Sequence, residues 1–190
     1  GLVEIQTIEP NIRVFAPYGT TENFTQTELY DTYQYAYFQP EVALMLQKAY
    51  HFLLEENANY TFLIWDAARP LSIQTKMWAV ACQMNKKIYV SNPKKTGLHN
   101  YGAAVDLTIV DSLGNELDMG TCFDYFGEEA QPAKEKQLLA QGKLTIEQVK
   151  NRQLLRKVMT KAGFSVLPTE WWHFNACSRN VAKQKYQVID

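Results

Sequence analysis

Two short stretches carry side chains able to do chemistry together. In GLHNYGAAVD, residues 97–106, His99 and Asp106 stand seven positions apart; in TEWWHFNA, residues 169–176, Glu170 precedes His173 by three. Residues seven apart on one continuous strand point to opposite faces, so His99 and Asp106 share a site only where the backbone turns between them. Gly102 permits that turn. Beyond it, Ala104, Asp106 and Thr108 fall on one face of a strand, and Val105, Leu107 and Ile109 on the other. A carboxylate held there needs a partner, because an unpaired buried charge is costly or is neutralised by a shift in its pKa.

Two neutral imidazoles and one carboxylate make a three-ligand zinc set that leaves a fourth position for water, the arrangement of catalytic rather than structural zinc. His99, Asp106 and His173 supply that set, and one zinc ion per chain satisfies the charge of Asp106. Glu170 is then placed to take a proton from the zinc-bound water, whose pKa falls to about 7. Taken singly, each residue has a plainer reading. A histidine beside a strand is more often a hydrogen-bonded structural residue, and Trp171 and Trp172 fit a core or a pocket wall. His51, inside KAYHFLLEE, is accounted for by the helical pattern around it and is not taken as a ligand.

These residues need a scaffold. Val42, Leu46, Ala49, Tyr50 and Leu53 recur at helical spacing after Pro40, so a helix runs to about Asn57. Tyr60 to Trp65 reads as a buried strand, and the residues after Pro70 are again helical. AAVDLTIVDSLGNELDMG reads as a strand, a turn at Leu-Gly-Asn and a short returning strand. Residues 131–164 hold two helical stretches, the second with Thr145 and Gln148 spaced as a capping box and Gly163 as its stop. Phe164 to Val166 and Trp171 to Ala176 are late strands. This interleaving, with its hairpin signals, argues an α+β fold with a mainly antiparallel central sheet flanked by helices, carried by residues 1–190 as one domain without repeat or linker.

The totals exclude some classes of function. A net charge of −1 gives no electrostatic footing for nucleic acid, and no apolar run is long enough to span a membrane. Cys82, Cys122 and Cys177 are too scattered for a metal knuckle or a disulfide framework and read as small hydrophobes. A first residue of Gly rather than Met is compatible with a removed signal peptide. Compartment therefore stays open between periplasm or exterior and cytoplasm, as does oligomeric state.

At the chemical residues the chain resembles the zinc D-alanyl-D-alanine dipeptidases associated with vancomycin resistance, relatives of the D,D-carboxypeptidases and of the Hedgehog signalling domain. The pattern S-x-H-x-x-G-x-A-x-D aligns on residues 97–106, and E-x-W-H on Glu170 to His173. YGTTENFTQTELYD at 18–31, WDAARP at 65–70 and DMGTCFDYF at 118–126 agree with the narrower dipeptidase group. The resemblance implies a central antiparallel sheet flanked by helices, zinc bound by His99, Asp106 and His173, Glu170 as general base, and Arg69 as the cation facing the developing oxyanion. That last role has physical sense, since a fixed guanidinium stabilises such charge where water is excluded. Without the motif Arg69 reads as a surface residue ahead of a helix-starting proline, and Asp66 as either its partner or a helix cap.

The implied reaction is hydrolysis of the D-Ala-D-Ala dipeptide by zinc-bound water in bacterial cell-wall peptide metabolism, with a small D,D-dipeptide as partner. Tyr18, Asn23 and Asp118 are candidates for meeting the substrate's two charged ends, whereas Asp118 to Gly120 and Phe123-Asp124 also suit a loop that walls the pocket. One departure stands out: the serine of the pattern is Gly97 here. The alternatives are a D,D-carboxypeptidase acting on longer peptidoglycan stems and a non-catalytic zinc module that binds wall peptides.

Overall fold

In the computed structural model, which describes residues 1–30 and 35–190 apart from the side chain of Ile88, the chain builds a five-stranded sheet. The motif stretch at 18–31 thus ends, at Asp31, outside the described residues. Strand β1 (Val3–Glu4) and β3 (Tyr37–Phe38) form a small antiparallel pair, while β2 (Arg13–Val14) lies at one edge of the main sheet. Helix α1 (Pro40–Glu56) leads into β4 (Thr61–Asp66), and α2 (Leu71–Gln83) follows. Next come β5 (Ala104–Val110), α3 (Glu135–Ala140), α4 (Ile146–Lys161), β6 (Ser165–Leu167), β7 (Glu170–Asn175) and α5 (Arg179–Lys185). The strand order is β2-β4-β5-β7-β6.

The α+β expectation holds, with one change to the sheet. Pairs β4–β5, β5–β7 and β6–β7 are antiparallel, but β2 runs parallel to β4, so the sheet is mixed. A parallel pair needs a long crossover, and here β3 and α1 lie in it. A two-residue strand has no alternation to read, which is why β1, β2 and β3 leave no periodic signal. The strand expected to return after Leu-Gly-Asn shrinks to a single bridge, Val110 to Glu116.

Helix α1 begins with Pro40 at its first turn, where a missing N–H costs nothing. It buries Val42, Ala43, Leu46, Ala49, Tyr50 and Leu53 against the sheet. Each fully buried leucine on that stripe contributes about 1.5–3 kcal/mol. The opposing surface comes from Phe62 and Ile64 of β4 and from Val105, Leu107 and Ile109 of β5. All seven residues of β5 are buried, so this central strand is packed on both faces along its whole length. Among the described residues no helix is long and apolar enough to cross a membrane.

Helix α4 carries the expected capping box: the Thr145 hydroxyl accepts from the Gln148 N–H at 3.1 Å, and the Gln148 side-chain oxygen accepts from the Thr145 N–H at 2.8 Å. Gly163 closes the other end with φ of 106°, a left-handed conformation that glycine adopts without cost. Gln148 also donates to Asp118, so the cap links helix to loop. Replacing Thr145 with Ala removes one hydrogen bond of the box and is expected to lower unfolding free energy by about 1 kcal/mol. Urea denaturation reads this as a lower midpoint with an unchanged slope.

Candidate active site

Three of the four central residues sit on the sheet and one on the turn that feeds it. His99 occupies a single turn of tight helix, residues 99–101, and Gly102 follows with φ of 65°. A side chain at 102 would meet Leu2 at 2.9 Å and the Gln39 backbone nitrogen at 3.3 Å, so the reversal requires glycine on two counts. The chain then enters β5, where Asp106 pairs with His173 of β7. Neighbouring residues of an antiparallel pair share a face, which sets the two side chains together. A shift in the β6–β7 register brings Leu167 opposite Glu170 at the start of β7, and Glu170 lines the same cavity as His99, Asp106 and His173.

The hydrogen bonds fix both imidazoles. His99 Nδ1 lies 2.7 Å from the Ala67 carbonyl oxygen, which can only accept, so the proton is on Nδ1 and the lone pair on Nε2. His173 Nε2 donates to Asn175 Oδ1 at 2.8 Å, which puts its lone pair on Nδ1. Those two lone-pair nitrogens face each other at 3.2 Å. Asp106 adds Oδ1 at 2.9 Å from His173 Nδ1 and Oδ2 at 3.4 Å from His99 Nε2. Three acceptors pointed at one another repel unless a positive charge sits among them.

The donor set fits a metal ion. Nitrogen and oxygen donors at about 2.0–2.1 Å from a tetrahedral ion stand roughly 3.3 Å apart, and the separations here, 3.2 Å between the imidazoles and 2.9 and 3.4 Å to the two carboxylate oxygens, lie close to that. The second hydrogen bond of each imidazole, to Ala67 and Asn175, is the orienting contact that metal-bound histidines use. Among the described residues His99, Asp106 and His173 are the group able to hold a metal ion. His51, exposed on α1 and 3.6 Å from Glu9, lies apart from it.

Electrostatics follow from burial and charge. Burial raises the Asp106 carboxyl's pKa, but the two histidines outweigh it and hold that pKa below the usual carboxylate range. Burial works against a charged His99 as well, yet Asp106 beside it turns the net shift upward, so protons and metal compete for the same nitrogen. Burial pushes Glu170 up to about 8, with Asp106 and Asp124 adding to the rise and His173 opposing it. Burial likewise lifts Asp124 to about 7, partly offset by the Tyr18 hydroxyl that donates to it at 2.5 Å. A divalent charge in the cluster favours the ionised form of both acids.

Arg69 is buried and fully anchored. Its Nε donates to Asp66 at 2.8 Å, Nη2 to the same carboxylate, and Nη1 to the Gln74 side-chain oxygen at 2.7 Å. These contacts take three of the five guanidinium donors, and the Tyr30 hydroxyl also lies within reach of the group. Nη2 stands 4.0 Å from Asp106, so Arg69 faces the acceptor cluster from one side. Burial disfavours its charge, but Asp66 overrides that and Arg69 stays cationic.

A family comparison matches the D-ala-D-ala dipeptidase model over residues 1–190. The chain belongs to that family of metallopeptidases. It is 29% identical to the D-alanyl-D-alanine dipeptidase of Escherichia coli over 91% of this chain and 83% of the relative. Against the proteins of that name from Enterococcus faecium and Enterococcus faecalis the identity is also 29%, covering 92% and 86% of this chain and 90% and 85% of theirs.

Within this member of the family, Tyr18, Arg69, His99, Asp106, Glu170 and His173 share one cavity. Two residues picked from the sequence do not reach it. Asn23 spends its amide on the carbonyls of Pro17, Thr20 and Thr27 and accepts from Thr25, which organises its own loop. Asp118 is exposed, accepts from Gly120 N–H and Gln148, and ties the 118–120 loop to α4. Both are short polar side chains that close turns on their own backbone, a use that competes with ligand binding. The three cysteines are unpaired, and Cys82 and Cys122 are exposed rather than packed.

Two residues escaped sequence reasoning, Gln74 behind Arg69 and Asn175 behind His173, while Asp124, read from the sequence only as part of a loop walling the pocket, presents its carboxyl to the cavity. Asp124 adopts φ of 56°, so its place is set by an irregular loop. That loop is pinned by Arg152 Nε donating to the Met119 carbonyl at 2.6 Å and by Trp171 donating to Thr121 at 2.8 Å. Only Asn175 left a readable sign, a polar residue two positions from a histidine on the same strand face. Changing Asn175 to Leu removes the acceptor that fixes the His173 tautomer and is expected to weaken metal binding about 10–100-fold. Competition against a chelator of known affinity measures this, and unaltered affinity would contradict the tautomer assignment.

Proposed function

We propose that this chain is a zinc-dependent D-alanyl-D-alanine dipeptidase that serves bacterial cell-wall peptide metabolism. The observation that supports it most is the set of three facing acceptors, His99 Nε2, His173 Nδ1 and the Asp106 carboxylate, in a cavity that also holds a carboxyl and a guanidinium not consumed by the cluster. A merely structural metal site needs neither. Zinc held there lowers the pKa of a water toward neutrality and polarises the scissile carbonyl.

The chain's own residues supply the rest. Glu170 has the character of a general base: its carboxyl forms no hydrogen bond with other described residues, and its raised pKa lies close enough to neutrality to take a proton and later return it to the leaving amine. Arg69 offers N–H capacity beyond that held by Asp66 and Gln74 to the oxygen of the tetrahedral intermediate. Because Asp66 and Gln74 hold it, no reorganisation is needed when that charge appears. Asp124, oriented by Tyr18, is the acid placed to receive the dipeptide's ammonium. That contact in turn favours the ionised form of Asp124. The cavity, about 510 Å³, is of ordinary size for a small-molecule site.

Zinc-loaded protein is expected to cleave D-Ala-D-Ala, to spare L-Ala-L-Ala, and to stop when a chelator is added. Equal or better cleavage of a pentapeptide ending in D-Ala-D-Ala would replace this reading with a D,D-carboxypeptidase. Zinc binding without turnover would leave a binding module. Glu170→Gln should keep its zinc and lose about a hundred- to ten-thousand-fold in kcat; unchanged turnover would remove Glu170 as the base.

A further inference from the structure

The absence of a side chain at Gly97 has a neighbour that explains it. Gly97 is buried, and its φ lies outside the left-handed region, so the backbone there accepts any residue. What stands in the way is Ser91: a Cβ on residue 97 would meet Ser91 Oγ at 3.0 Å and Ser91 Cβ at 3.2 Å. The space of a side chain at 97 is thus taken up by the hydroxymethyl group of Ser91. Both residues line the catalytic cavity, and the Ser91 hydroxyl forms no hydrogen bond with other described residues.

Ser91 is also tied to the catalytic cation. Gln74, fully buried, accepts from Arg69 Nη1 through its side-chain oxygen at 2.7 Å. With its amide nitrogen it donates to the Ser91 carbonyl at 2.8 Å. This Arg69–Gln74–Ser91 chain fixes the backbone of residue 91 and leaves its side chain free. No carboxylate is bonded to Ser91, whereas Asp124 already provides for an ammonium. A hydroxyl donor lining the cavity that also holds the Arg69 guanidinium suits an anionic group.

We propose that the Ser91 hydroxyl binds the C-terminal carboxylate of the dipeptide, occupying in space the position that a serine at residue 97 would fill. This inference rests on the dipeptidase reading above. It makes residues 91 and 97 alternatives: one of the two carries the hydroxyl and the other must be small.

The test is an exchange, read as kcat and KM on D-Ala-D-Ala and on its C-terminal amide. Ser91→Gly keeps the backbone carbonyl that Gln74 needs, and should lower kcat/KM for the free acid about tenfold or more, mainly through KM, as expected for a lost hydrogen bond to a charged group. The amide, lacking the carboxylate, should respond far less. Gly97→Ser alone crowds Ser91, while the double variant Ser91→Gly with Gly97→Ser should recover most of the lost kcat/KM. A Ser91→Gly protein that still prefers acid over amide as the wild type does, or a double variant no better than the single, overturns the assignment while the dipeptidase reading stands. A wild type that cleaves no dipeptide overturns both.

Discussion

The structure turns on a buried carboxylate that cannot be left alone. Asp106 lies in the middle of a wholly buried strand, and the two groups nearest to it, His99 Nε2 and His173 Nδ1, present lone pairs rather than protons because Ala67 and Asn175 have taken the ring N–H groups. Such an arrangement is unfavourable without a cation at its centre and strongly favourable with one. The stability of this end of the sheet and the chemistry of the cavity therefore depend on the same charge.

Around that point the fold acts as a set of supports. Strand β5 supplies a buried line, β7 brings His173 into register with Asp106, and the tight turn before Gly102 swings His99 back over the sheet. Strand β4 ends opposite Asp106 with Asp66, across an irregularity in register that follows Ile64. Asp66 sits there with like charge nearby, and Arg69 between them makes the placement tolerable. The guanidinium is thus both a structural counter-ion and a catalytic donor, which is why each of its bonds is directed.

The parts of this arrangement that were legible in the sequence are those set by strand and turn periodicity. The His99–Gly102–Asp106 spacing only makes sense as a turn into a strand, and β5 and β7 are rich enough in β-formers to be seen. The segment from Thr145 to Gly163 announces its own boundaries. The spacing of Glu170 before His173 put that acid beside the ligand set, and resemblance to the dipeptidases then added Arg69, which no local pattern could have done. The roles that stayed hidden are those that depend on irregular backbone or on a neighbour distant in sequence. Asp124 is aimed by a loop strapped to Arg152 and Trp171; Gln74 acts by facing inward from the first turn of α2; Ser91 matters because of the space beside Gly97. Asn23 and Asp118 drew attention for the opposite reason. Their side chains are the type that binds ligands, but the turns they close had the first claim on them.

The most direct measurement is the anomalous scattering of crystals of the protein grown with zinc, collected on both sides of the zinc absorption edge. A single strong site bonded to His99 through Nε2, to His173 through Nδ1 and to the Asp106 carboxylate is the predicted result. Zinc bound elsewhere, or bound through the ring nitrogens that face Ala67 and Asn175, would contradict it.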